Sequence, residues 1–266
     1  MIKRIIIQII KLSPSSKRWF WKKWYNIFAR KARNPDLKLM NYGYDAPNMD
    51  LKLRHEDETE RFSIQLYHYI SSHTDINKKK ILEVGSGRGG GAAYIAKYLE
   101  PLSVTGIDIS DDAVSLCNDL YEIPNLEFVC GDSENIPFSD NIYDVVINVE
   151  SSHCYGNMER FLSEVYRVLK PGGFFLFCDF RTLNGIDELN EQFSKSNLKF
   201  INRTDITENV IKGLDKLSDY REEHIKKSVP LLIRGLFKTY AGIKGTEIYN
   251  SFVDGKMIYI CAVLKK

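Results

Sequence analysis

Short apolar runs alternate with amphipathic stretches between residues 80 and 180, and this alternation restricts the fold more than any other feature of the chain. The runs fall at 80–84, 103–109, 126–130, 144–149 and 174–179, and the helical stretches at 90–99, 111–121 and 158–169. Strands that alternate with helices build a parallel sheet covered by helices on both faces. We therefore predict an α/β fold with a doubly wound, mostly parallel sheet.

The segments that flank this region extend the prediction. Residues 58–73 have the pattern of an amphipathic helix, and residues 181–250 are mostly helical in pattern. A late apolar run from Met257 to Leu264 predicts a final strand, at an antiparallel edge of the sheet. A chain of 266 residues accommodates one large domain with additions better than two full domains.

Charge is distributed unevenly along the chain. Residues 1–33 contain ten Lys or Arg and no acid, whereas the remainder has 27 basic and 35 acidic residues. All three tryptophans lie between positions 19 and 24. The apolar side chains near one face of the predicted helix at 15–33 are Trp19, Phe20, Trp24, Ile27 and Phe28. Such a helix either contacts a membrane surface or docks on its own domain. A nucleic-acid arm is disfavoured because no DNA- or RNA-binding motif accompanies it.

Cysteine content and hydropathy exclude several classes of protein. The five cysteines are odd in number and form no CxxC pair, so we expect neither a disulfide framework nor a metal site, and a reducing cytoplasm. No apolar run approaches the roughly 20 residues of a membrane span. The opening MIKRIIIQIIKL is too short to cross a bilayer, and no small-residue cleavage site follows it.

A glycine-rich loop, ILEVGSGRGGG at 81–91, follows the first predicted strand. Gly85 and Gly87 let the backbone turn sharply and approach a ligand without an intervening Cβ. Asp108 ends the second strand, where its two oxygens can accept hydrogen bonds from both hydroxyls of a ribose. Asp132 follows the third strand, where its carboxylate can accept a hydrogen bond from the amino group of an adenine. This order of loop and acids, with few cations nearby, predicts an adenosyl ligand without a pyrophosphate.

Four motifs in this order resemble those of the class I S-adenosylmethionine (SAM) dependent methyltransferases: ILEVGSGRGG, VTGIDIS, GDSENIPF and RVLKPGGFF. The resemblance implies a seven-stranded Rossmann-like sheet with SAM as its cofactor. The positions that it implies for cofactor binding are Glu83, Gly85, Gly87, Asp108, Ile109 and Asp132, of which Glu83 and Ile109 match less closely.

The whole chain further resembles the phthiotriol/phenolphthiotriol dimycocerosates methyltransferases, which O-methylate a hydroxyl of a polyketide-derived lipid. The stretches that carry this resemblance are MNYGY at 40–44, MDL at 49–51, GRGGGAAYIAKYLEP at 87–101, NVESSHCY at 148–155 and GIKGTEIY at 242–249. The chain is rich in Ile, Lys and Asn, unlike those relatives, so their named substrate is not carried over.

We expect four parts in the chain. They are a basic amphipathic N-terminal arm and lid at 1–57, a SAM-binding core at 58–180, a helical substrate cap at 181–250, and the C-terminal strand of the core sheet at 251–266. Tyr42, Tyr44 and Tyr155 either form the wall of the acceptor site or are packing aromatics. The apolar positions of the cap, Leu231, Leu232, Ile233, Leu236 and Phe237, line a lipid channel or fill a core.

His153 is the candidate catalytic base, because it lies just past the fourth strand in NVESSHCYGN. An alcohol has a pKa of about 16 against about 6.5 for His, so the imidazole can take the proton only as the new carbon–oxygen bond forms. Asp179 ends the neighbouring strand and would orient the ring, an arrangement that resembles the His–Asp pair of related O-methyltransferases. The alternative is that His153 only caps the following helix. His55, His68, His73 and His224 are expected at the surface or in packing.

These residues together predict a SAM-dependent O-methyltransferase that acts on a hydroxyl of a lipid or polyketide-type molecule. Two alternatives stay open: a C-methyltransferase acting on a sterol or prenyl-quinone acceptor, and a non-catalytic SAM-binding protein at the membrane. The expected location is the cytoplasm, at the inner membrane face if residues 1–33 bind lipid. The sequence leaves the oligomeric state open.

Overall fold

The structure, a computed structural model, describes residues 13–31 and 38–266 and contains one sheet of seven strands. The strands are β1 (Lys80–Val84), β2 (Ser103–Asp108), β3 (Leu126–Cys130), β4 (Tyr143–Val149), β5 (Leu169–Thr182), β6 (Lys199–Asp205) and β7 (Met257–Lys265). Their order in the sheet is β3-β2-β1-β4-β5-β7-β6. Strand β7 runs antiparallel to both of its neighbours, and the pairs from β3 to β5 are parallel. The predicted doubly wound, mostly parallel sheet is confirmed.

Helices cover both faces of this sheet. They are α1 (Pro14–Lys31), α2 (Arg61–Ser71), α3 (Gly90–Tyr98), α4 (Asp111–Leu120), α5 (Met158–Val168), α6 (Leu183–Lys195), α7 (Thr207–Ser228), α8 (Arg234–Tyr240) and α9 (Glu247–Val253). Short 3₁₀ helices lie at His55–Glu60, Ser152–Cys154 and Leu231–Ile233. The side chains of Ser110 and Asn157 cap the first turns of α4 and α5 by accepting backbone N–H groups.

The core has two parts because successive side chains of a strand point to opposite faces. Ile81 and Val145 pack on one face in a cluster that includes residues of α2, α3 and α7. Leu82 and Val146 pack on the other face against α5 and α6. Because helices cover both faces of the sheet, a ligand can enter at the carboxyl ends of the parallel strands.

One detail of the sequence prediction was wrong, and another was incomplete. Strand β7 was expected at an edge of the sheet, but it lies between β5 and β6. Residues 181–250 are mostly helical, as expected, but the prediction did not include β6, which forms within them and occupies the edge. This strand is mostly exposed and has no alternating apolar pattern. Its backbone hydrogen bonds to β7 define it, and these leave no periodic signal in the sequence.

Helix α1 lies against its own domain in the structure. It packs on α4, with Lys22 3.3 Å from the carboxylate of Asp111 and Asn26 bonded to Ser110. Trp19 is 60% exposed on the outer side of the helix. The side chains of Phe20, Trp24, Ile27 and Phe28, which the predicted apolar face includes, lie outside the described residues. Within the described ranges, no helix is both long and apolar enough to cross a membrane.

Candidate active site

A cavity of about 610 Å³ lies at the carboxyl ends of the parallel strands, next to the point where the strand order reverses between β1 and β4. Its walls come from the loop after β1, the ends of β2 and β4, the segment before α2, and helices α7 and α8. Gly85, Gly87, Asp108, Ile109, Asp132 and His153 all line it. The fold thus gathers into one cavity six of the eight residues selected from sequence, the exceptions being Glu83 and Asp179.

The glycine loop forms one wall of this cavity and is shaped by backbone conformation. Gly85 and Gly87 have φ angles of +78° and +54°, which L side chains rarely adopt. A Cβ on Gly85 would lie 2.4 Å from the Oγ of Ser151. The N–H groups of Gly85 and Ser86 both donate to the carbonyl of Ile107, at 2.8 and 2.9 Å. The loop is therefore fixed to the end of β2, with its backbone open to a ligand.

Asp108 stands at the end of β2 beneath this loop. Its Oδ2 accepts the N–H of Gly87 and its Oδ1 accepts the N–H of Ser110, each at 2.9 Å. Burial raises the pKa of Asp108, and these two hydrogen bonds oppose the shift. Because each carboxylate oxygen can accept more than one hydrogen bond, both oxygens keep capacity for ligand hydroxyls. Ile109 follows it in the cavity wall.

Asp132 has a partner that sequence reasoning missed. Its Oδ2 lies 3.2 Å from Arg18 of helix α1, and the same guanidinium group lies 3.0 Å from Glu134. Trp21, one turn further along α1, also lines the cavity. The N-terminal helix therefore closes the side of the cavity at which Asp132 lies. No local sequence motif predicts the contact between Arg18 and Asp132, because the two residues are 114 positions apart in the chain.

Glu83 lies one layer behind the cavity wall. Its side chain is fully buried, and its Oε1 accepts the phenolic O–H of Tyr67 at 2.6 Å, while Tyr67 itself lines the cavity. Burial raises the pKa of Glu83 to about 7, against the effect of hydrogen bonds from Tyr67 and the backbone of Ala92. Glu83 itself does not line the cavity and borders it only through Tyr67, so its contact with the cofactor stays a prediction.

His153 and Asp179 meet beside the cavity. His153 belongs to the 3₁₀ turn that follows β4, and Asp179 lies on the adjacent strand β5. The His153 Nδ1–H donates to Asp179 Oδ1 at 2.9 Å, and the backbone N–H of His153 donates to Oδ2 at 3.0 Å. Asp179 is fully buried, whereas the His153 side chain keeps a 25% exposed fraction. The imidazole ring also packs on Phe180, with ring centroids 4.5 Å apart.

Arg181 forms an ion pair with the Asp179 carboxylate of this pair. It is two residues after Asp179 on the same face of β5, and its Nη1 lies 3.0 Å from Asp179 Oδ2. Although burial favours the neutral carboxyl group, the charges of Arg181 and His153 hold the pKa of Asp179 well below its usual range. Burial also lowers the pKa of His153, but the nearby Cys154 sulfur and the Asp179 carboxylate outweigh it and raise that pKa to about 10. The Asp179 carboxylate therefore favours the protonated imidazole in the resting protein.

Glu150 is a further acid of the wall, partly buried, and it follows β4 with a φ of +46°. It accepts the backbone N–H of Tyr42 at 2.7 Å and the hydroxyl of Tyr259 at 2.9 Å. Burial raises the pKa of Glu150 to about 7 in spite of these bonds. Like Asp108 and Glu83, it would be stabilised in its ionised form by a positively charged ligand.

The rest of the cavity is lined by aromatic and apolar groups. Tyr42 and Tyr155 line it, whereas Tyr44 stacks on Tyr69 at 4.5 Å in the core and does not. From the C-terminal segment, the apolar wall residues are Ile225, Val229, Pro230, Ile233, Leu236 and Phe237. His224, expected at the surface or in packing, also lines the cavity. Across residues 13–31 and 38–266, no cluster of His, Cys, Asp or Glu is arranged to hold a metal ion.

A sheet of this order, with a glycine loop after β1 and acids at the ends of β2 and β3, defines a class I SAM-dependent methyltransferase. A family model for a methyltransferase domain matches residues 82–177. The chain is 36% identical over 248 residues to the phthiotriol/phenolphthiotriol dimycocerosates methyltransferase of Mycobacterium tuberculosis, which covers 93% of this chain and 92% of that protein. The chain therefore belongs to that methyltransferase family.

Two further comparisons extend this relationship. A fatty-acid O-methyltransferase of Mycolicibacterium smegmatis is 39% identical over 217 residues, 81% of this chain and 79% of that protein. The crystal structure of geranyl diphosphate C-methyltransferase from Streptomyces coelicolor, solved with S-adenosyl-L-homocysteine, superposes with a TM-score of 0.66. It shares 14% identity and covers 92% of this chain and 97% of its own. At that identity the likeness shows the fold alone.

The residues present fit SAM as the cofactor. The glycine loop lines the cavity in a conformation that leaves no room for a Cβ at Gly85, and Asp108 offers two acceptor oxygens beside it. The raised pKa values of Glu83 and Glu150 indicate carboxyl groups that a positive charge would stabilise. SAM supplies an electrophilic methyl group on a positively charged sulfur. The chain is thus a SAM-dependent methyltransferase whose own residues must bind and align the acceptor.

Proposed function

We propose that this protein moves a methyl group from SAM to a hydroxyl oxygen of a lipid or polyketide-type acceptor. The observation that carries the proposal is the His153–Asp179 pair, which lies at the cavity with an Nδ1 to Oδ1 distance of 2.9 Å. Because Nδ1 is bonded to Asp179, Nε2 is the ring nitrogen that takes the acceptor's proton. An acceptor whose nucleophile is a carbon π system does not need this base at the moment of bond formation.

Proton removal requires His153 to be neutral. Asp179 raises the pKa of His153, so the ring holds its proton in the resting protein. His153 loses that proton more easily once the positive charge of the cofactor enters the same cavity, since like charges oppose each other. The neutral ring then accepts the hydroxyl proton as the carbon–oxygen bond forms, which contributes about 10²–10⁴ in rate. Asp179 stabilises the imidazolium that results.

Holding the acceptor in line with the methyl group is the other contribution of the chain. Tyr42 stacks on Phe180, with centroids 5.2 Å apart, and Phe180 packs on the His153 ring. This aromatic wall runs from the base towards the apolar residues of α7 and α8. Such alignment can supply up to about 7–11 kcal/mol of the barrier. A lipid or polyketide chain suits a wall of this length, and the names of the two bacterial relatives support the same acceptor class.

The cofactor groups are proposed from the same cavity. Gly85 and Gly87 face the methionine part, Asp108 and Ile109 the ribose, and Asp132 the adenine ring. Arg18 and Trp21 cover the cavity from α1, which supports the docked arrangement of the N-terminal arm. Membrane contact through residues 1–33 stays a prediction, for which the exposed Trp19 and the excess of basic residues are the support.

The proposal is tested by incubating the protein with SAM carrying an isotope-labelled methyl group and a lipid extract of its host. We expect label in a lipid product whose fragmentation shows an oxygen-linked methyl group. A carbon-linked methyl group would contradict O-methylation and favour a C-methyltransferase. No labelled product, with SAM binding intact by calorimetry, would favour a SAM-binding protein that transfers nothing.

A further inference from the structure

The short 3₁₀ helix between α7 and α8 presents two leucines to solvent. Leu231 is 80% exposed and Leu232 is 96% exposed, the two highest values among the large hydrophobic side chains in the described residues. Isolated exposed apolar residues are common on proteins. Two adjacent leucines with almost no protein contact instead form an apolar tip, which gains free energy from any environment that removes it from water. We use the name leucine tip for Leu231 and Leu232.

The leucine tip is continuous with the wall of the cavity. Pro230 and Ile233, its immediate neighbours in the chain, line the cavity, as do Leu236 and Phe237 on α8. The segment thus has an inner apolar side that forms cavity wall and an outer apolar side in solvent. A nonpolar chain that leaves the cavity along this segment would pass from Ile233 directly onto the tip.

The charged residues of the chain segment that carries the tip have one sign, although acids of α7 pair with four of them. Between His224 and Thr246 the chain carries five Lys or Arg residues and no Asp or Glu. Lys226 and Lys227 end α7 just before the tip, with side chains 58% and 72% exposed. Their ion pairs with Glu222 and Glu223 one turn earlier are solvent-exposed, and pairs of that kind hold their partners weakly. An apolar tip within a basic rim matches the interface of an anionic membrane, where apolar groups enter the acyl region and cations stay at the headgroups.

A second copy of the chain would cover the tip less well. A symmetric contact through the leucines would bring the two basic rims together, and like charges in one interface oppose association. The charge pattern therefore favours lipid as the occupant of this surface.

We propose that the leucine tip inserts into an anionic phospholipid surface and places the apolar end of the cavity against the bilayer. A lipid acceptor then reaches His153 along the wall formed by Ile233 and Phe237 without crossing water. The acceptor's path rests on the function proposed above, but the docking of the tip does not. This surface is distinct from the N-terminal arm, so the two membrane contacts can be separated by mutation.

The test is flotation of the full chain with vesicles of phosphatidylcholine and phosphatidylglycerol. The double variant Leu231→Ser/Leu232→Ser should bind at least about tenfold more weakly, because both tip side chains leave the acyl region. The matched control is Leu102→Ser, since Leu102 is 58% exposed just before β2, at the amino ends of the parallel strands and away from the cavity. It should bind as the wild type does. Lys226→Gln/Lys227→Gln should weaken binding at low salt and have less effect at high salt.

Several outcomes would overturn the proposal. They are wild-type protein that fails to bind these vesicles, equal binding by the tip variant, and equal loss with Leu102→Ser. Light scattering that shows a wild-type dimer and a monomeric tip variant would assign the surface to a second copy instead. None of these readouts involves methyl transfer, so they are independent of the role of His153. Calorimetric SAM binding should be equal in all variants, which confirms that each is folded.

Discussion

His153 and the carboxylate of Asp179 are joined by two hydrogen bonds, one from the imidazole ring and one from the backbone N–H of His153. The double attachment fixes both the ring and the turn that carries it. Strands β4 and β5 are parallel neighbours, so the residues that follow β4 lie beside the end of β5 by construction of the sheet. The order and direction of β4 and β5 therefore bring His153 and Asp179 together.

This pair predicts a pH dependence of the rate. A base acts in its deprotonated form, so kcat should rise as pH increases through the pKa of His153, which is about 10 in the resting protein. Bound SAM adds a positive charge and should place the midpoint lower, above the ordinary His value of about 6.5. In Asp179→Asn the charge that favours imidazolium is gone, so the midpoint should move to lower pH and the plateau rate should fall.

Arg181→Gln is the control for that experiment, because it should shift the pKa of His153 in the opposite direction. Without the guanidinium group the Asp179 carboxylate is less compensated, so the pKa of His153 should rise and the profile should move to higher pH. The measurement is kcat against pH for the three proteins, with thermal melting to establish folding. Profiles that coincide, or two variants that shift in the same direction, would contradict the proposed coupling.

The glycine loop predicts a specific sensitivity at Gly85. Gly85→Ala introduces left-handed strain of about 1–2 kcal/mol and a contact 2.4 Å from Ser151 Oγ. Gly255→Ala is the matched control, because its φ is +67° but its Cβ would meet nothing within 4 Å. We expect Gly85→Ala to raise the Kd for SAM at least about tenfold and to lower the Tm more than Gly255→Ala. Equal Kd values in calorimetry would contradict a tight cradle at Gly85.

Asp108 should dominate the affinity for the ribose part of SAM. Replacing it in Asp108→Asn removes charge-assisted hydrogen bonds worth about 1.5–3 kcal/mol, so the Kd should rise about 10- to 150-fold. The control is Asp119→Asn, an exposed acid of α4. If calorimetry gives the two variants the same affinity as the wild type, Asp108 does not contact the cofactor.

Helix α1 should report on cofactor binding through its tryptophans. All three tryptophans of the chain lie in α1, and Trp21 lines the cavity whereas Trp19 is 60% exposed. Titration with SAM should therefore change the tryptophan emission. Trp21→Phe should remove most of the change and Trp19→Phe should keep it. A change that depends on Trp19 instead would mean that α1 does not lie over the bound cofactor.

Most of the fold could be predicted from sequence because its strands are buried. Each strand from β1 to β4 is a short apolar run, helices follow all of them except β3, and the acids at their carboxyl ends follow from the same register. Strand β6 could not be predicted, since its mostly exposed side chains carry no alternating pattern. Its place at the edge depends on pairing with β7, more than fifty residues later.

The candidate site shows the same division. His153 and Asp179 could be paired from sequence because His153 follows β4 and Asp179 lies near the carboxyl end of the adjacent strand β5. Arg181 was missed although it lies two residues after Asp179, on the same face of β5. Arg18 could not be found, because its contact with Asp132 depends on how α1 docks. In the sequence, Leu231 and Leu232 cannot be distinguished from the other apolar residues of the predicted cap. Only the structure shows that these two leucines are exposed whereas their apolar neighbours line the cavity.

The most direct test of this account is single-turnover methyl transfer by His153→Ala, with the host lipid fraction as acceptor. SAM binding by calorimetry should match the wild type, while the transfer rate should fall about 10²–10⁴-fold. His55→Ala, a change at an exposed histidine, should leave both quantities unchanged. Transfer by His153→Ala at the wild-type rate would contradict the assignment of His153 as the base that takes the hydroxyl proton.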